Sequence, residues 1–537
     1  MEMEVLLQFY LSCFMVSGQA IPCQEGGRSF RLTECRKSPA WGETVVGKKH
    51  LTGIERLILC AALCFLLFQG CAERERYTYE RIKRTYKAQE PGPAAKESRA
   101  IPAPQLPQEP LSLHQAVILA LQGNPEVEMA LARIRQAQAM IDEATASFWP
   151  VLSVYGEYLQ GNAPSSYLFK TIDQRKLPPG VDFNDPGWFE NYEVGLQARI
   201  NLFNGGRDLL RRKMAETGFQ IHELDRRSVE NALVESVIHA YFQALAARDY
   251  LEIATRSVTT VEEQKRVVDV RYRAGGALRS DLLSLEVRLA QAKEEAVRAK
   301  NNHDLTLAAL AVLLSLDPDS PLSLQEKESM QRGFPKDYAS GLTQALANRP
   351  ELKKVRQQVV QSYMALDMAK AEYLPKVDAQ AKVYLDDPSA DFQTSRDNWI
   401  AGVIVNWDVF TGLSTPARVS KARSVLDEMI ALDRKTTQSV QLDLKSAYLR
   451  LAEAEARIQV TQASVAQAEE SLSLVKKEYE GGSATITRYL ETELALHRAR
   501  ILAKAAYYDR ERALASIGRG IGYWAIFAEA MRERNGK

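Results

Sequence analysis

Residues 193–206 read EVGLQARINLFNGG, and residues 400–412 read IAGVIVNWDVFTG. Around the first stretch Tyr192, Val194, Leu196, Ala198, Ile200 and Leu202 fall on one side of an extended chain, and Glu193, Gln197, Arg199 and Asn201 on the other. Around the second, Trp399, Ala401, Val403, Val405, Trp407 and Val409 form the matching apolar row. Period two with one apolar face is the pattern of a strand between two different environments. Glycines close both stretches (Gly205 and Gly206, then Gly412), and a long run rich in Ala, Glu, Gln, Arg and Leu follows each. A strand passes into a helix at the same point, twice.

The duplication extends in both directions. Asn124-Pro125-Glu126 is answered by Arg349-Pro350-Glu351, and Pro150 by Pro375, both at an offset of 225 residues. Gly195 and Gly402, Tyr241 and Tyr448, and Tyr272 and Tyr479 share an offset of 207, so the first copy carries 18 extra residues between Pro150 and Gly195. An ordered repeat of this length marks a duplicated structural unit. Each copy reads helix, strand, strand, long helix, helix. The earlier strands keep phase too, with Leu152, Val154 and Tyr158 matching Val377, Ala379 and Val383.

About ten residues per strand suits a tilted membrane-barrel strand. A half-buried globular sheet would alternate in the same way. The aromatics that bracket the strands (Phe148, Trp149, Trp188, Phe189, Tyr192, Trp399, Trp407) resemble interfacial girdles and favour the membrane. Four strands cannot close a barrel, and open edges do not survive in lipid, so the chain must oligomerise.

The helices are set by their breaks. Residues 113–148 are helical in pattern, interrupted at Gly123-Asn124-Pro125 and ended by Pro150. No breaker occurs from Arg207 to Arg273, which makes a helix of about 100 Å at about 1.5 Å per residue. Ala274-Gly275-Gly276 turns the chain, and a return helix covers residues 278–316. The second copy repeats this with residues 413–480, a turn at Gly481-Gly482, and residues 484–517. Helices this long need lateral packing, and two half-length helices stacked beside each full-length one supply it.

At the front, Lys48, Lys49 and Arg56 flank the apolar run LILCAALCFLLF, too short to span a bilayer, which ends in FQGC at Cys71. This reads as a secretory signal with a lipoprotein-type cleavage box, making Cys71 a lipidation site; an ordinary signal cut nearby is the alternative. Residues 1–47 fit an over-extended start, with translation beginning near Val46 or Leu51. A proline-rich tether follows as far as Pro110. All six cysteines lie at or before Cys71, so the rest of the chain needs neither disulfides nor thiolate-bound metal. The whole chain carries a net charge of +1, which gives no footprint for nucleic acid. The six histidines are scattered without metal-ligand spacing, and GRGIG at residues 518–522 ends a helix rather than following a strand. No catalytic residue, metal site or cofactor is expected.

These residues taken together resemble the outer-membrane efflux proteins, the TolC family of channel-tunnels. The match rests on the duplicated layout, the two proline-ended helices, LFNGG with its partner VFTG, and the paired glycine turns. The resemblance implies a mixed membrane α/β fold: four β-strands per chain, a homotrimeric twelve-stranded outer-membrane barrel, and a long periplasmic α-helical barrel. It implies a division into 1–70 (start extension and signal), 71–110 (tether), 111–316 (first repeat), 317–337 (equatorial connector), 338–522 (second repeat) and 523–537 (tail). The implied role is the exit duct of a tripartite efflux pump for small molecules, joined to a periplasmic adaptor and an inner-membrane transporter in contact with outer-membrane lipid. A type I protein secretion outlet shares the architecture, and a periplasmic coiled-coil scaffold is the reading from another class. The resemblance puts the gate and the adaptor dock at the turns Gly275-Gly276 and Gly481-Gly482. Ser280 and Thr487 suit close helix packing there, and Asp281 and Glu491 are candidates for an acidic ring. Arg488 stands where the best-known type has an aspartate, so Asp281 is expected to pair with an arginine. Pro150, Gly205, Gly206, Pro375 and Gly412 are the expected strand–helix junctions.

Overall fold

The computed structural model describes residues 110–325 and 333–535, together with Tyr79, Ile82 and Lys83. By contacts the chain divides into Met1–Ser98 and Arg99–Lys537. The signal, Cys71 and nearly all of the tether lie outside the described residues. The second unit carries the repeat and is described below.

The first copy comprises α1 (Leu113–Gly123), α2 (Pro125–Ala146), β1 (Val151–Gly161), α3 (Pro164–Asp173), β2 (Phe189–Phe203), α4 (Arg207–Arg273) and α5 (Arg279–Leu313). The second comprises α6 (Tyr338–Asn348), α7 (Pro350–Lys370), β3 (Lys376–Asp387), β4 (Asp397–Asn406), α8 (Ser414–Glu480) and α9 (Ile486–Gly520), with α10 (Tyr523–Asn535) after it. Helix α3 has no counterpart in the second copy, and the stretch read as a tail is a docked helix. Trp524 of α10 is buried and its indole N–H donates to the Ala515 carbonyl at 2.8 Å. That contact needs Gly518, where an added Cβ would sit 2.5 Å from the Trp524 ring. Aromatic content at Tyr523, Trp524 and Phe527 was the sequence signal for a packed element.

The interruption at residues 123–125 works as one residue serving two helices. Asn124 follows the end of α1, and its side-chain oxygen caps α2 by accepting the Glu126 N–H at 2.9 Å, with Pro125 in the first turn. Its side-chain amide also donates to the Leu313 carbonyl at 3.2 Å, tying the joint to the end of α5. In the second copy Arg349 and Pro350 occupy the joint, and α6 is capped by Asp337. Helices α4 and α8 each run 67 residues, and α5 and α9 each run 35. Helices α7 and α9 both pack against α4 and α8, so shorter helices line the long ones along most of their length.

The largest core lies midway, where Val237, Tyr241, Phe242 and Leu245 of α4 meet Leu310, Leu314 and Trp524. The tyrosines of the repeat have matching roles there. Tyr241 donates to the Leu111 carbonyl at 2.8 Å, and Tyr448 to the Pro335 carbonyl at 2.7 Å. Each pins the chain just ahead of a copy's first helix.

The four strands form one antiparallel sheet in the order β1-β2-β3-β4, with β2 and β3 joining the two copies. Among the described residues, strands β1 and β4 each leave one edge unpaired. The apolar row faces out: Leu152, Val154 and Trp399 are each 76% exposed. Tyr158 and Trp399 stand toward one end of that face, and Trp149, Trp407 and Phe203 toward the other. The opposite face carries Tyr155, Glu193, Arg199, Asp378, Lys382, Tyr384 and Asp386; β4 departs from it by presenting Ile400 and Ile404 there. Among the described residues, no helix is long and apolar enough to cross a membrane.

Candidate functional site at the paired glycine turns

Helices α4 and α8 run from the sheet to the two glycine turns, which therefore lie at the far end of the helices from the strands. Both turns are built alike. Gly275 and Gly482 each have φ of +77°, the left-handed region that a side chain disfavours. Nothing lies within 4 Å of a Cβ added at either, so the backbone sign, not crowding, requires glycine. The next N–H closes each turn back onto the helix: Gly276 donates to Arg271 O and Ser483 to Glu478 O, both at 2.8 Å. Gly276 and Gly481 lie outside the positive-φ region, so each glycine pair contains one obligatory member.

The return helices start differently. Asp281 accepts the Leu278 N–H at 3.3 Å at the start of α5. Thr485 caps α9 by accepting the Arg488 N–H at 3.3 Å. The Arg488 guanidinium meets Glu478 across its own hairpin at 3.5 Å. Within one chain Asp281 turns back to its own helix N-terminus, where unpaired N–H groups and the helix dipole hold a carboxylate. Ser280, Thr487, Arg488 and Glu491 are exposed.

The two hairpins meet through an apolar seam of Val261, Val268, Leu285, Val475, Ile486 and Tyr489. Tyr479 stacks on Tyr489 with ring centroids 5.6 Å apart, and Gln264 donates to the Tyr489 hydroxyl at 2.8 Å. Arg271 lies 5.9 Å from the Tyr479 ring. Burial pushes both phenols up, so they act as neutral hydrogen-bonding groups. Between α4 and the second hairpin is a groove of about 290 Å³ edged by Gln264, Arg271, Lys476, Tyr479 and Tyr489. Sequence reading named the glycines and missed this aromatic seam. The signal available was Tyr479 standing beside the turn.

At the other end, Pro150 and Pro375 immediately precede β1 and β3. Gly205 and Gly206 have φ of +72° and +79°, and Gly412 has +62°. Gly205 is doubly constrained, because a Cβ there would sit 2.7 Å from the Ala371 carbonyl oxygen. The residue matching Gly206 is Leu413, also at positive φ (+65°), which glycine counting overlooks.

An apolar outward sheet face between aromatic bands, a charged inner face, two open edges and helices of 67 residues define the class: an outer-membrane channel subunit with a long helical extension. The chain belongs to the outer membrane efflux protein family, whose model matches residues 117–315 and 341–522. It is similar to the pyoverdine export outer membrane protein OpmQ of Pseudomonas aeruginosa, at 23% identity over 75% of this chain and 83% of the relative. It is also similar to the alkaline protease secretion protein AprF of the same organism, at 22% identity over 74% of this chain and 82% of the relative. Among solved structures, the CmeC outer membrane channel of Campylobacter jejuni superposes with a TM-score of 0.68 at 17% identity, covering 76% of this chain and 85% of that one. The family is one of outer-membrane channels rather than enzymes.

Proposed function

We propose that three copies of this chain close a twelve-stranded barrel in the outer membrane and continue it as a helical tunnel, forming the exit duct of a tripartite efflux pump. The observation that carries this is the sheet: a lipid-type face outward, charged groups inward and an open edge on each side. Lipid leaves an open edge no hydrogen-bond partner, so β4 of one protomer pairs with β1 of the next. The partners are a periplasmic adaptor and an inner-membrane transporter, and the cargo is small molecules delivered by that transporter. The two efflux repeats are 111–316 and 338–522, joined at the waist by 317–337, and lipid on Cys71 adds an anchor. Palmitate labelling that persists in a Cys71→Ser variant would remove that anchor.

The glycine turns are the periplasmic gate and the adaptor dock in this reading. Small exposed residues at Ser280, Ser483 and Thr487 permit close approach, and the groove beside Tyr479 and Tyr489 offers a seat for a helical hairpin. The test is planar-bilayer conductance of protein purified from outer membranes. Small, long-lived unitary currents are expected. No current, even after substitution at the turns, returns the chain to a periplasmic scaffold. The likeness to AprF, whose name describes protease secretion, favours protein secretion as the second reading. Deletion in the host separates the two: loss of resistance to small toxicants supports efflux, and loss of a secreted protein supports secretion.

A further inference from the structure

The 18 extra residues of the first copy lie wholly in one connection. Residues 162–188 join β1 to β2, whereas residues 388–396 suffice between β3 and β4. The longer connection contains α3, and α3 is bonded across the charged face of the sheet rather than lying free. Lys170 reaches Glu193 of β2 at 2.5 Å and Asp386 of β3 at 3.0 Å. Gln174 donates to Asn191 at 2.8 Å, and Asn191 donates to Asp386 at 2.6 Å. Tyr384 donates to Asp173 at 3.3 Å, Asn398 of β4 donates to the Asp173 carbonyl at 3.2 Å, and Arg175 to the Asp397 carbonyl at 3.3 Å. Tyr167 packs edge-on against Phe189. One short helix thus touches β2, β3 and β4.

We propose that α3 is a lid across the outward mouth of the duct, latched by Lys170. The proposal rests on the barrel reading above, which makes the charged face the lumen and the end away from the long helices the outside. The latch has a built-in reason to hold. Glu193 and Asp386 are almost wholly buried under α3, and Asp386 Oδ2 is buried without any partner. Glu193 also receives Lys382 and the Tyr155 hydroxyl, the latter at 2.5 Å. Asp386 has Lys170 as its ion-pair partner among the described residues. Removing the Lys170 ammonium leaves a buried carboxylate uncompensated, and the release from that cost is for α3 to lift and admit water. Three lids around a twelve-stranded mouth narrow it by size, independently of the distant glycine turns.

The experiment uses the full chain in intact cells; its six cysteines all lie at or before Cys71, and the unsubstituted chain serves as the control for labelling there. Gln197→Cys places a thiol on the inner face of β2, and Leu196→Cys places one on the lipid face. A small charged maleimide and a bulky polyethylene-glycol maleimide are applied from outside. The small reagent is expected to label position 197 and not 196; labelling both or neither, in a chain whose residues 162–188 are replaced by the shorter 388–396 connection, overturns the barrel reading itself. With that pattern in place, Lys170→Met is expected to raise the bulky-reagent rate at position 197 by about tenfold or more, since breaking a buried ion pair at one partner is strongly destabilising. Lys170→Arg, which keeps the charge and the reach, is expected to restore the slow rate. An unchanged size cut-off in both Lys170→Met and the shortened connection overturns the lid.

Discussion

Glu230 on α4 is 1% exposed and sits among charges from two elements. Arg226 on its own helix lies 3.5 Å away and Arg532 of α10 lies 2.5 Å away, while Arg227 and Glu529 pair beside them at 2.6 Å. Burial pushes the Glu230 carboxyl up to about 7, against the pull of Arg226 and Arg227, with Glu529 adding to the rise. An acid raised in the folded state holds its proton more tightly there than in the unfolded chain. Its contribution to stability is complete below the ordinary value of 4.5 and is lost as pH rises through about 7. The stability of the folded chain should therefore fall across that window by on the order of 1–3 kcal/mol. Thermal unfolding followed between those pH values should show a falling Tm in the wild type. Glu230→Gln should flatten the slope, and a slope that survives in this variant assigns the effect to other groups.

At the scale of elements, the long helices owe their length to the absence of breakers, and their ends to a few backbone positions. Gly275 and Gly482 end α4 and α8 through their positive φ, while Asp281 and Thr485 start the return helices. The Arg488–Glu478 contact joins α9 to α8 at the tip, but both side chains are largely solvated, so its own contribution is about 0–1 kcal/mol. Its effect is on geometry, because it ties the hairpin together at the tip proposed above as the gate. Replacing Asp281 and Arg488 together should loosen the closed state, seen as a higher open probability and larger unitary current in planar bilayers. Unchanged single-channel conductance would remove both residues from the gate.

At the scale of the whole molecule, the internal pseudo-symmetry predicts how copies meet in the proposed trimer. Within the chain, Leu196 of β2 is paired with Val383 of β3. Carried forward by the repeat offsets of 207 and 225, that pair becomes Val403 of β4 against Tyr158 of the neighbour's β1. Both belong to the apolar row, as closure with the correct face requires. The double variant Val403→Cys with Tyr158→Cys should form covalent trimers on non-reducing gels. Val403→Cys with Leu152→Cys, six residues out of register, should not. Cross-linking of the second pair in preference to the first would disprove the inferred register.

Much of this architecture was legible in one dimension because its determinants are local. Strand alternation, the proline-ended helices and the glycine turns are backbone preferences and periodicities. Their duplication at fixed offsets revealed the repeat without reference to any contact. The lid, the aromatic seam at the tip and the docked C-terminal helix were not legible in that way. They depend on side chains far apart in sequence: Lys170 with Asp386, Gln264 with Tyr489, Gly518 against Trp524. Asp281 shows the same division, since its charge is read from the sequence while its bond to the Leu278 N–H is seen only in the folded turn. By itself the sequence determined the repeated strands and helices, though not α3 or α10, and that four strands in one chain leave sheet edges open. The tertiary structure alone decided which charges are buried together, because burial and partner choice arise only when distant segments pack.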